Sequence, residues 1–168
     1  MPAPTQAQDF GFQYVGPQNP TVIRVNLIAA NTAIGIGDAL HLEATGEVDQ
    51  ADASDENIFG VALEAKDASD GGDIACIAAT PSTLFAVRLG GTPGQTVVGN
   101  NADITVAARD SNTLQSRMGL NSSTAATTAQ FKIHGLHGLQ GNAWGDEEVV
   151  VVGAFFESVW NTGGTVGI

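Results

Sequence analysis

An all-β fold, built of small β-barrel or sandwich units with an extended N-terminal arm, is what the sequence predicts. Apolar residues recur at every second position in short runs, as at Leu40, Leu42 and Ala44, which is the period of a strand with one buried face. Clusters such as Asp70-Gly71-Gly72-Asp73 separate the runs; glycine reaches positive φ without a Cβ clash and Asp bonds its own backbone, so both favour turns. No stretch keeps apolar residues at i, i+3, i+4 and i+7 for three turns, which argues against long amphipathic helices.

Residues 1–21 hold Pro2, Pro4, Pro17 and Pro20 among Gln and Gly. Proline cannot donate to a ladder and favours extended backbone, so this stretch reads as an arm. Phe10, Phe12 and Tyr14 alternate within it, and a merely disordered arm would lack such aromatics. They pack either on the parent domain or, as an added strand, on a neighbouring subunit. A compact barrel has no evident need of them, so Phe10, Phe12 and Tyr14 are the candidate partner-binding residues, laid across a neighbour. Ile23, Val25 and Leu27 then share the apolar face of a strand over 22–28 and open a first barrel unit, 22–80. Residues 31–37 read as a turn. Its Gly35-Ile36-Gly37 lacks the third glycine and the following helix of a dinucleotide fingerprint, so no nucleotide site is expected there.

Within 37–80, three short strands stand around two acidic turns, Thr45-Gly46-Glu47 and Asp70-Gly71-Gly72-Asp73. Leu40, Leu42 and Ala44 mark the first strand, Phe59, Val61, Leu63 and Ala65 the second, and Ile74, Cys76 and Ala78 the third. Asp49, Asp52, Asp55 and Glu56 fall in a loop that lacks the glycine and terminal glutamate of a calcium-binding hand, which makes it a solvated loop. Thr80-Pro81-Ser82 is the boundary of the unit, because proline after a strand stops the ladder. The second unit, 81–160, begins with Phe85, Val87 and Leu89, is broken by Gly90-Gly91-Thr92-Pro93-Gly94, and resumes at Ile104, Val106 and Ala108. Residues 109–129 keep no sustained period and read as a long loop anchored at Met118-Gly119-Leu120; loops of this length are functional or mobile. Phe131 and Ile133 restart a strand with Lys132 and His134 on its other side. Residues 148–160, apolar at nearly every position, read as a central strand covered on both faces. Residues 161–168 form a tail.

At 168 residues the chain buries a core without metals or disulfides. Its single cysteine, Cys76, excludes an intrachain disulfide, suits folding in a reducing cytosol and reads as a small core residue. No signal peptide or membrane span is visible. Charged residues make up only 14%, below the roughly 25% of an average domain, so the surface is small and neutral and suits being covered by a partner. The charge that exists is one-sided, with 18 acidic against 6 basic residues and a net charge of -12. Phosphate backbones repel such a chain, which excludes direct nucleic-acid binding. Solubility and docking on a basic partner are the two uses open to the acidity.

Catalytic chemistry finds no support. The sequence holds no G-x-S-x-G elbow, H-E-x-x-H or P-loop. His134 and His137 project to opposite faces of a strand and have no cysteine or carboxylate close in sequence, so no metal or other cofactor is expected. A hydrolase would need one of these histidines beside a carboxylate in a pocket. A carbohydrate-binding or adhesin module on a virion would use Trp144, Trp160 and Tyr14 as stacking platforms.

The order of motifs over 37–80 resembles the β-barrel of tailed-bacteriophage head decoration, or capsid cement, proteins. It runs from Gly37-Asp38 through an apolar strand, Ala44-Thr45-Gly46-Glu47-Val48, an acidic loop and Phe59-Gly60-Val61-Ala62-Leu63-Glu64-Ala65 to Gly71-Gly72-Asp73. Thr83 to Val87, and Phe131 to Leu136 through Gly145-Asp146, are more loosely similar to the second domain of the same proteins. The resemblance implies a β-tulip or SH3-like barrel followed by a second β-domain, and no enzymatic activity. It implies a structural protein on the exterior of a virion, folded in the host cytoplasm, that bridges major capsid protein subunits as a homo-oligomer, a trimer being favoured.

Overall fold

The computed structural model describes residues 10–28, 32–125 and 129–161. Its elements are strands and one 3-10 turn (Gln95–Val97), so the expected all-β class holds. In chain order the strands are β1 (Gln13–Gly16), β2 (Val22–Asn26), β3 (Ala39–Leu42), β4 (Val48–Gln50), β5 (Ile58–Ala62), β6 (Asp73–Ala78), β7 (Leu84–Leu89), β8 (Asn101–Thr105), β9 (Gly119–Ala125), β10 (Phe131–Leu136) and β11 (Val149–Phe155). Residues 1–9 of the arm, Asn31 of the expected turn and nearly all of the expected tail lie outside the described residues.

Five strands in the order β2-β6-β5-β3-β4 form the first barrel. It closes where Leu27 bridges Val48 and Ile28 N–H donates to Val48 O at 3.1 Å. Leu27, Leu40, Val48, Ile74 and Cys76 fill its interior. Burial alone pushes the Cys76 thiol up to about 11, which leaves it a protonated core residue. The acidic loop expected from 49 to 56 is shorter than read: Asp49 sits in β4, directly opposite His41. Ala44 and Leu63, placed on buried strand faces by alternation, are exposed, because β3 ends at Leu42 and β5 at Ala62.

A β-bulge explains why simple alternation fails in β5. Leu40 pairs with Gly60 but the next residue, His41, pairs with Ile58, so Phe59 is the extra residue. The bulge switches faces. Phe59 and Ala62 turn to the interior of the first barrel, while Ile58 and Val61 turn outward into a second core. The chain's last described segment pairs with the start of this strand: Ile58 N–H donates to Glu157 O at 2.9 Å, and Phe59 O, which accepts Ala79 N–H at 3.0 Å, also accepts Trp160 Nε1–H at 2.7 Å.

The second sheet runs β1-β7-β11-β10-β8-β9, and β9 returns to β7 through Leu89 opposite Leu120 and Gly90 N–H to Leu120 O at 3.0 Å. It therefore also closes on itself. Phe85, Val87, Ile104, Phe131, Ile133 and Val151 fill it, and the outward residues Ala39, Ile58, Val61 and Ile77 of the first barrel belong to the same core. The chain passes between the barrels at 79–83, a turn closed by Thr83 N–H to Thr80 O at 2.9 Å. Within the second barrel, 109–129 is not one long loop. β9 pairs with β8, Gln115 bridges Ile36, and Met118 and Leu120 are buried. Val106 and Ala108, expected on a strand face, lie beyond the end of β8 and are exposed. The run 148–160 is central only as far as Phe155, and Val150 and Val152 on its outer face are half-buried rather than covered.

The described end of the arm packs at home. β1 pairs with β7, Tyr14 opposite Phe85, and adds a strand to the chain's own second sheet. Phe12 is 2% exposed, with its ring 4.8 Å from Phe155 and 5.5 Å from Phe131. The reason is steric fit with a backbone anchor: Phe12 N–H donates to Gly37 O at 2.8 Å, and Gly37, at φ 94°, leaves no room for a Cβ beside Phe10 O. Phe12→Ala should cost about 3–5 kcal/mol, the usual range for a buried phenylalanine, read as a lower urea midpoint with the slope unchanged. Unaltered stability would show that the ring is not part of this core.

Candidate docking face

The 52–55 loop is built to hold its carboxylates in place. Asp52 Oδ1 accepts both the N–H and the hydroxyl of Ser54 at 2.7 Å, and Asp52 N–H donates to Asp55 Oδ2 at 2.7 Å. The Ser54 bonds hold the Asp52 carboxyl below its ordinary value, so it stays ionised. His41 on β3 lies behind the loop, its Nε2 3.0 Å from Glu43 Oε1 and its Nδ1 3.1 Å from Asp55 Oδ2, the latter close but not aligned for a hydrogen bond. Burial pushes the Asp55 carboxyl up, against the Asp52 N–H bond.

Gln130 fastens this loop to the second barrel. It is 1% exposed, and its Nε2 donates to Asp52 O at 2.5 Å and Asp55 O at 2.6 Å while its Oε1 accepts Ile104 N–H at 2.8 Å. Beside it stands Glu157, whose carboxyl is pushed up by burial first and then by Glu56 and Asp103. Glu56 and Asp103 thus stand near Glu157, and Asp52 lies on the loop beside β8, so carboxylates of both barrels share this face. Between the loop and β8 lies an open hollow lined by Asp52, Ala53, Ser54, Ile104, Thr105, Val106 and Asn121.

The residues singled out from sequence fall elsewhere. Phe12 is in the core, and Phe10 and Tyr14 are half-buried, Tyr14 edge-on to Phe85 at 6.4 Å. The expectation that all three lie across a neighbour is therefore corrected for Phe12, whose ring offers a partner no surface. Trp160 tilts onto Phe59 at 5.2 Å and Trp144 packs against the shared core, so their rings serve packing rather than an open platform. Among the described residues neither His134 nor His137 comes within ion-pair reach of a carboxylate, and no three His, Cys, Asp or Glu side chains gather as a metal site requires. Asp103, Gln130 and Glu157 were not legible as a group, since Gln130 meets its loop partners across 75 and 78 residues.

No family model, curated protein or solved structure matches the chain.

Burial first, and then the like charges of Glu56 and Asp103, make ionised Glu157 unfavourable in the fold. Its folded value is raised, so the folded state holds the proton more tightly and ionisation costs stability above the ordinary value of 4.5. Glu157→Gln should accordingly raise stability at pH 7 by a few tenths of a kcal/mol, a half-exposed site being screened. The gain should shrink as pH falls through the carboxylate range. Thermal melts of both proteins from pH 7 to 4 check this, and a gain that grows on acidification would contradict it.

Proposed function

We propose that the protein is a structural virion component: a decoration, or cement, protein that binds the outside of a tailed-phage head and bridges neighbouring major capsid protein subunits. It acts without catalysis, as a homo-oligomer with a trimer favoured, after folding in the host cytoplasm. The observation that carries this reading is the acidic face of Asp52, Glu56, Asp103 and Glu157, fixed by Gln130 across the junction of two closed barrels. A protein that resists outward pressure must not rearrange under load, and a loop bonded to both barrels meets that need. The net charge of -12 turns the protein away from packaged nucleic acid and toward a basic protein surface. The resemblance of 37–80 to decoration-protein barrels supports the same reading.

Purified protein mixed with expanded, undecorated tailed-phage heads should co-sediment with them to saturation, less so at 0.5 M than at 0.1 M salt, and should raise the temperature at which the heads rupture. Heads that take up no protein at either salt concentration and rupture unchanged would end this reading.

A further inference from the structure

The hollow beside the 52–55 loop coincides with a gap in strand pairing. β8 pairs with β10 only through Asn101 and Ala102; beyond them the Gln130 side chain, not a strand, takes the Ile104 N–H. Among the described residues, the end of β8 toward Val106 therefore has no strand neighbour on its β10 side. Val106 is 41% exposed there, an apolar side chain beside the ionised Asp52, with Asp103 outward on the same strand. The hollow is shallow and open to solvent, a place for side chains laid along its floor rather than for an enclosed ligand.

We propose that this hollow takes an extended basic segment of a partner protein, which lies along the end of β8, seats an aliphatic side chain over Val106, and sets Lys or Arg against Asp52, Glu56 and Asp103. An extended chain suits a strand end that lacks a neighbour, since its own N–H and C=O groups continue the ladder. Positive charge suits a face where carboxylates already repel one another, because a cation relieves that repulsion as it binds. An acidic segment would meet like charge at Asp52 and at the neighbouring Glu56 and Asp103, and a purely apolar one would leave those carboxylates uncompensated. The proposal deepens the decoration reading, under which the segment belongs to the major capsid protein, yet it can be tested apart from it.

The probe is the peptide acetyl-Lys-Val-Lys-Val-Arg-amide, titrated into the isotope-labelled full chain and followed by amide NMR, with acetyl-Glu-Val-Glu-Val-Glu-amide as its counterpart. The basic peptide should shift the amides of Asp52, Ser54, Thr105 and Val106 ahead of all others, and the acidic one should not. A variant combining V106S, E56K and D103K should bind at least about tenfold more weakly while the rest of its spectrum stays in place. No shifts at these amides, equal binding of the acidic peptide, or unchanged binding by the variant would each overturn the proposal. Head binding by the same variant separates the two ideas. If the peptide fails and heads are still decorated, the hollow proposal falls and the decoration reading stands; if the peptide binds in the hollow and no head takes up protein, the reverse holds.

Discussion

The apolar outer face of the first barrel is the constraint on which the rest of the fold depends. A small barrel normally hides one side of each strand and shows the other to water, but Ala39, Ile58, Val61 and Ile77 point away from the first barrel's interior and are buried all the same. Exposed together they would form a patch that a soluble monomer rarely tolerates. The second barrel covers them and contributes Phe85, Phe131 and Phe155 to the same core. The Phe59 bulge makes this possible by giving one short strand two apolar faces. Residues 157–160 then fasten the end of the second barrel to the same strand, Glu157 O accepting Ile58 N–H and Trp160 Nε1–H donating to Phe59 O.

A second junction ties the barrels from the other side. Gly35 and Gly37, which in sequence suggest half of a nucleotide fingerprint, are small because three stretches of backbone meet there: a Cβ on Gly37 would lie 2.5 Å from Phe10 O, and one on Gly35 2.9 Å from Ser116 N. Ile36 N–H donates to Leu114 O and Ile36 O accepts Ser116 N–H, both at 2.9 Å. Asp38 is buried at the same place, accepting Gly35 N–H and Gln50 Nε2 at 2.7 Å, and burial pushes its carboxyl up against those bonds. Arg109 adds a clamp from the second barrel's side, donating to Ile34 O and Lys66 O and pairing with Asp67. The acidic face therefore stands on a body held together at two ends.

Local pattern carried the all-β class, the inward faces of β7 and β10, and the turns that bound the first barrel, because each of these depends on neighbours within a few residues. What escaped the sequence depends on partners far along the chain. β9 reads Gly-Leu-Asn-Ser-Ser-Thr-Ala, with Leu120 as its one large apolar residue, and is a strand because β8 supplies its ladder. β1 looked like an arm because its prolines flank it, yet its partner β7 lies some seventy residues on and made the difference between packing at home and packing on a neighbour. The face of Asp52, Glu56, Asp103 and Glu157 has no motif, since Gln130 assembles it from separated segments. Its traces in sequence are the acidic excess and the acidic run over 49–56, which holds Asp52 and Glu56 but neither Asp103 nor Glu157.

The two barrels share a single core and form one cooperative unit, which gives the acidic face spanning both a rigid base. Differential scanning calorimetry of the intact chain tests it most directly. A shared core predicts one transition whose calorimetric and van't Hoff enthalpies agree. Two resolved transitions, or a calorimetric enthalpy about twice the van't Hoff value, would mean that the barrels melt separately and would contradict the account.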